Sequence, residues 1–167
     1  MRFRADIEGA AAVHGLDPDV VEGIVMQESA GRWWAYRYEP AFFTRYLAGH
    51  PLYRDRDPRE VSASYGLMQV MFTTAIENGF KGEPWALFDP AVSLDLGCHH
   101  LAHLIARLRG KWTGPILSGE SIVLRSALAS YNGGLTGNDP DMVPDRNHAY
   151  AEAVLARAAA IKKRGQG

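Results

Sequence analysis

The residue of this chain best placed to do chemistry is a glutamate standing where its helix asks for an apolar side chain. Val20, Val21, Ile24 and Val25 recur at the spacings of a helix with one buried face, and Glu28 falls four residues after Ile24 on that stripe. A carboxyl group there loses solvation, which disfavours its charged form, and the negative end of the helix dipole pushes the same way. A glutamic acid that stays protonated near neutral pH is the donor required when a leaving oxygen must receive a proton, as in glycosidic-bond cleavage. The helix by itself fits better a buried glutamate satisfied by hydrogen bonds, or one turned outward at the helix end.

Three segments shift that balance. The first is Glu28-Ser29-Ala30-Gly31 itself. The second is Ser64-Tyr65-Gly66-Leu67-Met68-Gln69-Val70-Met71, and the third is Ala127-Leu128-Ala129-Ser130-Tyr131-Asn132-Gly133-Gly134. Gln69 and Asn132 bring amides able to hold acetamido and hydroxyl groups. Tyr131 and Tyr150 bring aromatic faces with a hydroxyl handle. The glycines allow turns closed to other residues and close approach of backbone to a ligand.

In this order the segments resemble the Glu-Ser, Gly-Leu-Met-Gln and Ala-Tyr-Asn-Gly-Gly motifs of the soluble lytic transglycosylase (SLT) domain, a branch of the lysozyme-like superfamily. Tyr150, with Val154 four residues on, is similar to that family's late tyrosine, although its immediate surroundings are altered. Residues 36–46 are similar to a stretch found in phage members. The resemblance implies a mainly α, lysozyme-like domain with a glycan groove and little or no β-sheet. It implies that Glu28 protonates the oxygen between N-acetylmuramic acid (MurNAc) and N-acetylglucosamine (GlcNAc) in peptidoglycan. Glu28 would then take the proton of the muramic 6-hydroxyl as a 1,6-anhydro ring closes. Substrate contacts would come from Ser64, Met68, Gln69, Tyr131, Asn132 and Tyr150, with no cofactor. Met68 also reads as core or groove wall, and Tyr131 as a buried aromatic with a satisfied hydroxyl.

The stretch between Glu28 and Gln69 is long for the family and introduces Glu39. Facing Glu28 across a groove, Glu39 would activate water and make the enzyme a hydrolytic muramidase. Bound to Arg37 or Arg45 it would be structural, and its Glu-Pro context favours that or a capping role. A third reading is a glycan-binding assembly protein without activity. Ser62 and Ser64 fall near the groove by motif position. His99 and His103 stand one helical turn apart, but no acidic residue completes the pattern within that turn, so no metal is expected. Among the tryptophans, Trp33 and Trp34 are the better groove candidates beside Trp85 and Trp112.

The elements that must position these residues are helices. Asp17-Pro18 and Asp89-Pro90 each join an N-cap carboxylate to a proline suited to the first helical position. They predict helices from Asp19 to about Ser29 and from Pro90 to about Arg109. The longer one turns Val92, Leu96, Leu101, Leu104, Ile105 and Leu108 inward. Further helices are predicted over Arg2–His14, near Ala41–Ala48, after Gly66 with Leu67, Val70, Met71 and Ala75 inside, over Ser121–Ser130 and over Asp145–Lys163. Gly110–Gly119 reads as a loop and residues 50–63 as the most mobile segment.

The chain's 167 residues suit one domain spanning 1–167, and a 47% hydrophobic composition supplies a core. A net charge of −1 argues against a nucleic-acid binder, which needs a basic face. Cys98 is the only cysteine, which excludes an internal disulfide, and it reads as a small core residue. No run approaches the roughly 20 apolar residues of a membrane span, so no stable membrane insertion is expected. Asp6 and Glu8 interrupt any signal-peptide core. These readings suggest synthesis in the cytoplasm and action on the cell wall, as an endolysin helped across by a phage holin or as a virion component.

Overall fold

The computed structural model describes residues 2–110, 116–134 and 145–165. The Asp-Pro signals act as their chemistry dictates. Asp17 accepts from the Asp19 backbone N–H at 2.8 Å and opens α2 (Pro18–Glu28), after α1 (Arg4–His14) has ended at Gly15. Asp89 accepts from Ala91 at 2.8 Å and opens α6 (Pro90–Arg109). A third such pair, Asp57-Pro58, lies in the segment expected to be mobile. Asp57 caps the Arg59 N–H at 2.8 Å and starts the short α4 (Pro58–Val61). Around it Tyr53 is buried and Arg56 is bound to Glu83 at 2.7 Å, so the segment is tied down.

Between α2 and α6 the chain builds a small antiparallel sheet in the order β1-β2-β3: β1 (Tyr36–Tyr38), β2 (Ala63–Tyr65) and β3 (Val70–Met71). Strands of two or three residues are too short for alternation to register in a sequence. The helix expected directly after Gly66 is instead the β2–β3 turn, and α5 begins only at Phe72 (Phe72–Glu77). Gly66 dictates the difference. Its φ is +73°, and a Cβ there would lie 2.3 Å from the Leu87 carbonyl oxygen. Leu67 and Val70 are buried as expected, but from a turn and a strand.

Residues 39–48 fold as a single turn, α3 (Pro40–Phe42), followed by a π-helical turn over Phe43–Leu47. A 3₁₀ turn, Pro84–Phe88, leads into α6. The C-terminal part is α7 (Ile116–Gly133), beginning five residues before the expected start, and α8 (Asp145–Gly165). The rest of the expected loop, residues 111–115, lies outside the described residues.

The core runs through α1, α2, α6, α7 and α8 and under the sheet. Leu96, Leu101, Leu104 and Leu108 face inward as expected, and so do Leu94, Gly97 and Cys98. They are covered because α6 is packed by α1 on one side and by α7 and β3 on others. Arg4 clamps α1 to α2, donating to Asp19 and Glu22 at 2.8 Å each. Among the described residues, no helix is long and apolar enough to cross a membrane.

The contact of α2 with α8 governs the site. Gly23 makes it close: a Cβ there would stand 2.9 Å from the Val154 carbonyl oxygen, a backbone atom that cannot step aside. Gly23→Val is expected to push the helices apart, destabilising the protein by about 2 kcal/mol in urea unfolding and lowering activity further than the unfolded fraction accounts for.

Candidate active site

Glu28 is the last residue of α2, half-buried at the side of an open groove of about 1370 Å³. Across the helix contact, Tyr150 and Val154 share one face of α8. The Tyr150 hydroxyl donates to Glu28 Oε1 at 2.6 Å. Burial raises the pKa of Glu28, while the Tyr150 bond and the nearby Arg37 guanidinium partly offset the rise. Burial and the facing carboxylate push the Tyr150 hydroxyl far above its ordinary range, so it remains a donor. Tyr131 is shifted the same way and for the same reasons.

Opposite the acid, the Gly66–Gln69 turn is held from four directions. The buried Ser29 hydroxyl, next to Glu28, donates to the Leu67 carbonyl at 2.8 Å. Gln69 Nε2 donates to the carbonyls of Ala35 at 3.0 Å and Gly66 at 3.1 Å. Ser93 Oγ of α6 accepts from the Met68 N–H at 3.2 Å, and the Tyr131 hydroxyl of α7 donates to the Met68 carbonyl at 2.9 Å. Gln69 itself sits at φ +49°, a left-handed conformation that costs a non-glycine residue energy.

These contacts sort the sequence-predicted residues. Glu28, Glu39, Ser64, Gln69, Tyr131 and Asn132 all line the groove. Met68 corrects the expectation of a substrate contact. Its side chain is fully buried against Gly97, and its backbone is what serves the site. Gln69 has its amide nitrogen engaged by the Ala35 and Gly66 carbonyls. Asn132 donates to Asn147 at 3.3 Å. Tyr150 reaches the acid from behind rather than lining the groove.

Ser64 Oγ and Ser130 Oγ are buried, line the groove and have no hydrogen-bond partner among the described residues. Buried hydroxyls of this kind call for a partner from substrate or solvent. Ser130 stands inside the third motif, but serine in a helix gives no signal of which way it faces. Ser62 has a structural place: its hydroxyl donates to the Glu39 carbonyl at 2.7 Å and its own carbonyl accepts from the Glu39 N–H at 2.8 Å.

Glu39 heads α3 without capping it, contrary to one expectation, and takes Arg37 Nε at 2.6 Å instead. Arg37 pairs with Ser64 in the β1–β2 register and lines the groove, a place that its residue type and spacing did not announce. Trp33 and Trp34 are not groove residues. They stack edge-on at 5.6 Å and are exposed. Trp85 is likewise exposed, and Trp112 lies outside the described residues. The histidines of α6 diverge. His99 meets His14 edge-on at 5.7 Å, whereas His100 and His103 line the groove. His100 packs against Tyr131, and burial beside its neighbouring histidines lowers its pKa to about 4. Among the described residues, no group of three or more His, Cys, Asp or Glu side chains forms a metal-binding cluster.

If Glu28 donates a proton, Glu28→Gln is expected to lower the rate by about 10²- to 10⁴-fold, measured as glycan fragments released. The same change should stabilise the fold at neutral pH. Burial raises the Glu28 pKa above the ordinary 4.5, so stability falls as pH rises from that value through the raised one. The stability gain of the glutamine variant should therefore vanish toward pH 4 in denaturation curves. Tyr150→Phe removes a bond that favours the charged carboxylate. It is expected to lower kcat and to move the alkaline limb of the pH–rate profile to higher pH.

No curated protein matches this chain. The family model described as Transglycosylase SLT domain matches residues 6–151, a span that holds the acid, the turn, Tyr131 and Tyr150. With most of its length matched, the chain belongs to the transglycosylase SLT family, mainly α and lysozyme-like, whose activity is the lytic cleavage of peptidoglycan.

Proposed function

We propose that this chain, acting as one domain, cleaves the MurNAc-GlcNAc β-1,4 bond of peptidoglycan and leaves 1,6-anhydroMurNAc ends. The observation that carries the reading is the 2.6 Å bond from Tyr150 to a half-buried Glu28 at the groove. Burial raises the pKa of Glu28, which favours the protonated form that would donate to the leaving GlcNAc oxygen. The acetamido group of the substrate assists at C1, so the first step needs no second carboxylate. Glu28, then ionised and steadied by the Tyr150 hydroxyl, accepts the proton of the muramic 6-hydroxyl as that oxygen closes on C1. Ser64, Ser130, the Gln69 oxygen and Asn132 offer hydrogen bonds to acetamido and hydroxyl groups.

A hydrolytic muramidase would need a base for water, and Glu39 is the candidate. Its ion pair with Arg37 and its fixed backbone support a structural part instead. The resemblance of residues 36–46 to a stretch found in phage members supports a role in phage lysis or virion entry, with a holin or a virion component as partner; several of these residues line the groove.

Mass spectrometry of digested sacculi tests the reading. Wild type should yield muropeptides one water lighter than reducing ends, and Glu39→Gln should yield the same products. Reducing ends that disappear in Glu39→Gln would establish hydrolysis. Glycan binding with no cleavage by wild type would point to an assembly protein.

A further inference from the structure

The groove carries two guanidinium groups, unpaired among the described residues, that an amino-sugar chain does not need. Arg37 is neutralised by Glu39, but Arg45 and Arg107 are not. Neither has an ion pair or hydrogen bond among the described residues, and both are exposed into the cavity that holds Glu28. By contrast, Arg4 holds three carboxylates, and Arg56 holds two.

The two residues reach the groove from different elements. Arg45 stands on the π-helical turn, its guanidinium 5.9 Å from the centre of the Tyr46 ring, which packs on Phe42 at 5.0 Å. A π-helical turn is rare and frequently falls at a functional site. Arg107 follows His100 and His103 along one face of α6, at spacings of three and four residues. Glu77 is the remaining carboxylate lining the groove, and no ion pair joins it to either arginine. The lining sets Arg37, Arg45 and Arg107 against Glu28, Glu39 and Glu77, so its unpaired positive charge is local to Arg45 and Arg107.

The glycan backbone of peptidoglycan is uncharged. Its carboxylates sit on the peptide stems carried by the lactyl group of each MurNAc. A guanidinium fork matches a carboxylate in shape and charge. We infer that Arg45 and Arg107 bind stem-peptide carboxylates, so that the groove selects glycan bearing acidic stems over the bare amino-sugar polymer. The inference rests on the reading that the groove takes peptidoglycan.

The experiment compares two forms of the same sacculi: native, and with stem carboxylates converted to neutral amides by carbodiimide and glycinamide. A control muramidase that digests both preparations shows that the glycan is accessible in each. Wild type is expected to release fragments from native sacculi roughly three- to tenfold faster than from the amidated form, as two partly exposed ion pairs would give. In the R45Q/R107Q double variant that ratio should fall to about one, and added salt should erode it in wild type. A wild-type ratio of one, or a ratio that persists in the double variant, overturns the inference while leaving the cleavage reading intact. Failure of wild type on both preparations overturns the cleavage reading and the inference with it.

Discussion

The Gly66–Gln69 turn is the point through which the rest of this structure is referenced. A four-residue turn between two very short strands has little stability of its own. Here its carbonyls and N–H groups are satisfied by Ser29 at the end of α2, by Ser93 of α6, by Tyr131 of α7 and by the Gln69 amide. Each bond is worth about 1 kcal/mol net, but an unmade bond at a buried carbonyl costs more. The helices are therefore held to one another through this turn as well as through their apolar faces. That explains why the motifs extend beyond the acid: Ser29, the turn and Tyr131 form one interlocked unit. It also explains how Gln69 is kept in an unfavourable backbone conformation.

The acid is governed by opposing influences of different origin. Burial by the packed helices favours the neutral form and is insensitive to salt. The Tyr150 bond and the Arg37 charge favour the ionised form, and Arg37 acts from a largely exposed position where its effect is screened. Glu39 draws on the same arginine, so the insert contributes to the electrostatics of the groove even though its carboxylate is engaged. On the proposed reading, in which Glu28 both gives and receives a proton, opposing influences of this kind suit the two steps.

Much of this was legible in the chain. The apolar stripe of α2 marked Glu28 as out of place, the Asp-Pro pairs marked helix starts, and Cys98 proved to be core. Reading failed where the signal was shorter than its period. The strands of two and three residues, the α5 start at Phe72 and the α4 turn at Asp57-Pro58 were all hidden in a polar or apparently helical stretch. It failed also where a role belongs to the backbone, as with Met68, or depends on which way a small side chain turns, as with Ser130. Arg37 acts through a strand register that joins it to Ser64, and nothing local announces such a pairing. Trp33 and Trp34 show the converse error. Nearness in sequence to Glu28 did not bring them into the groove, because the chain leaves α2 through a turn before entering β1.

The Glu28–Tyr150 contact joins side chains 122 residues apart, on the second helix and the last. Without α8 against α2, Glu28 would lose the Tyr150 hydroxyl. On the proposed reading of Glu28 as the proton donor, catalytic competence is a property of the closed tertiary structure, because the hydroxyl and the burial that set its acidity come from elements far apart in the chain.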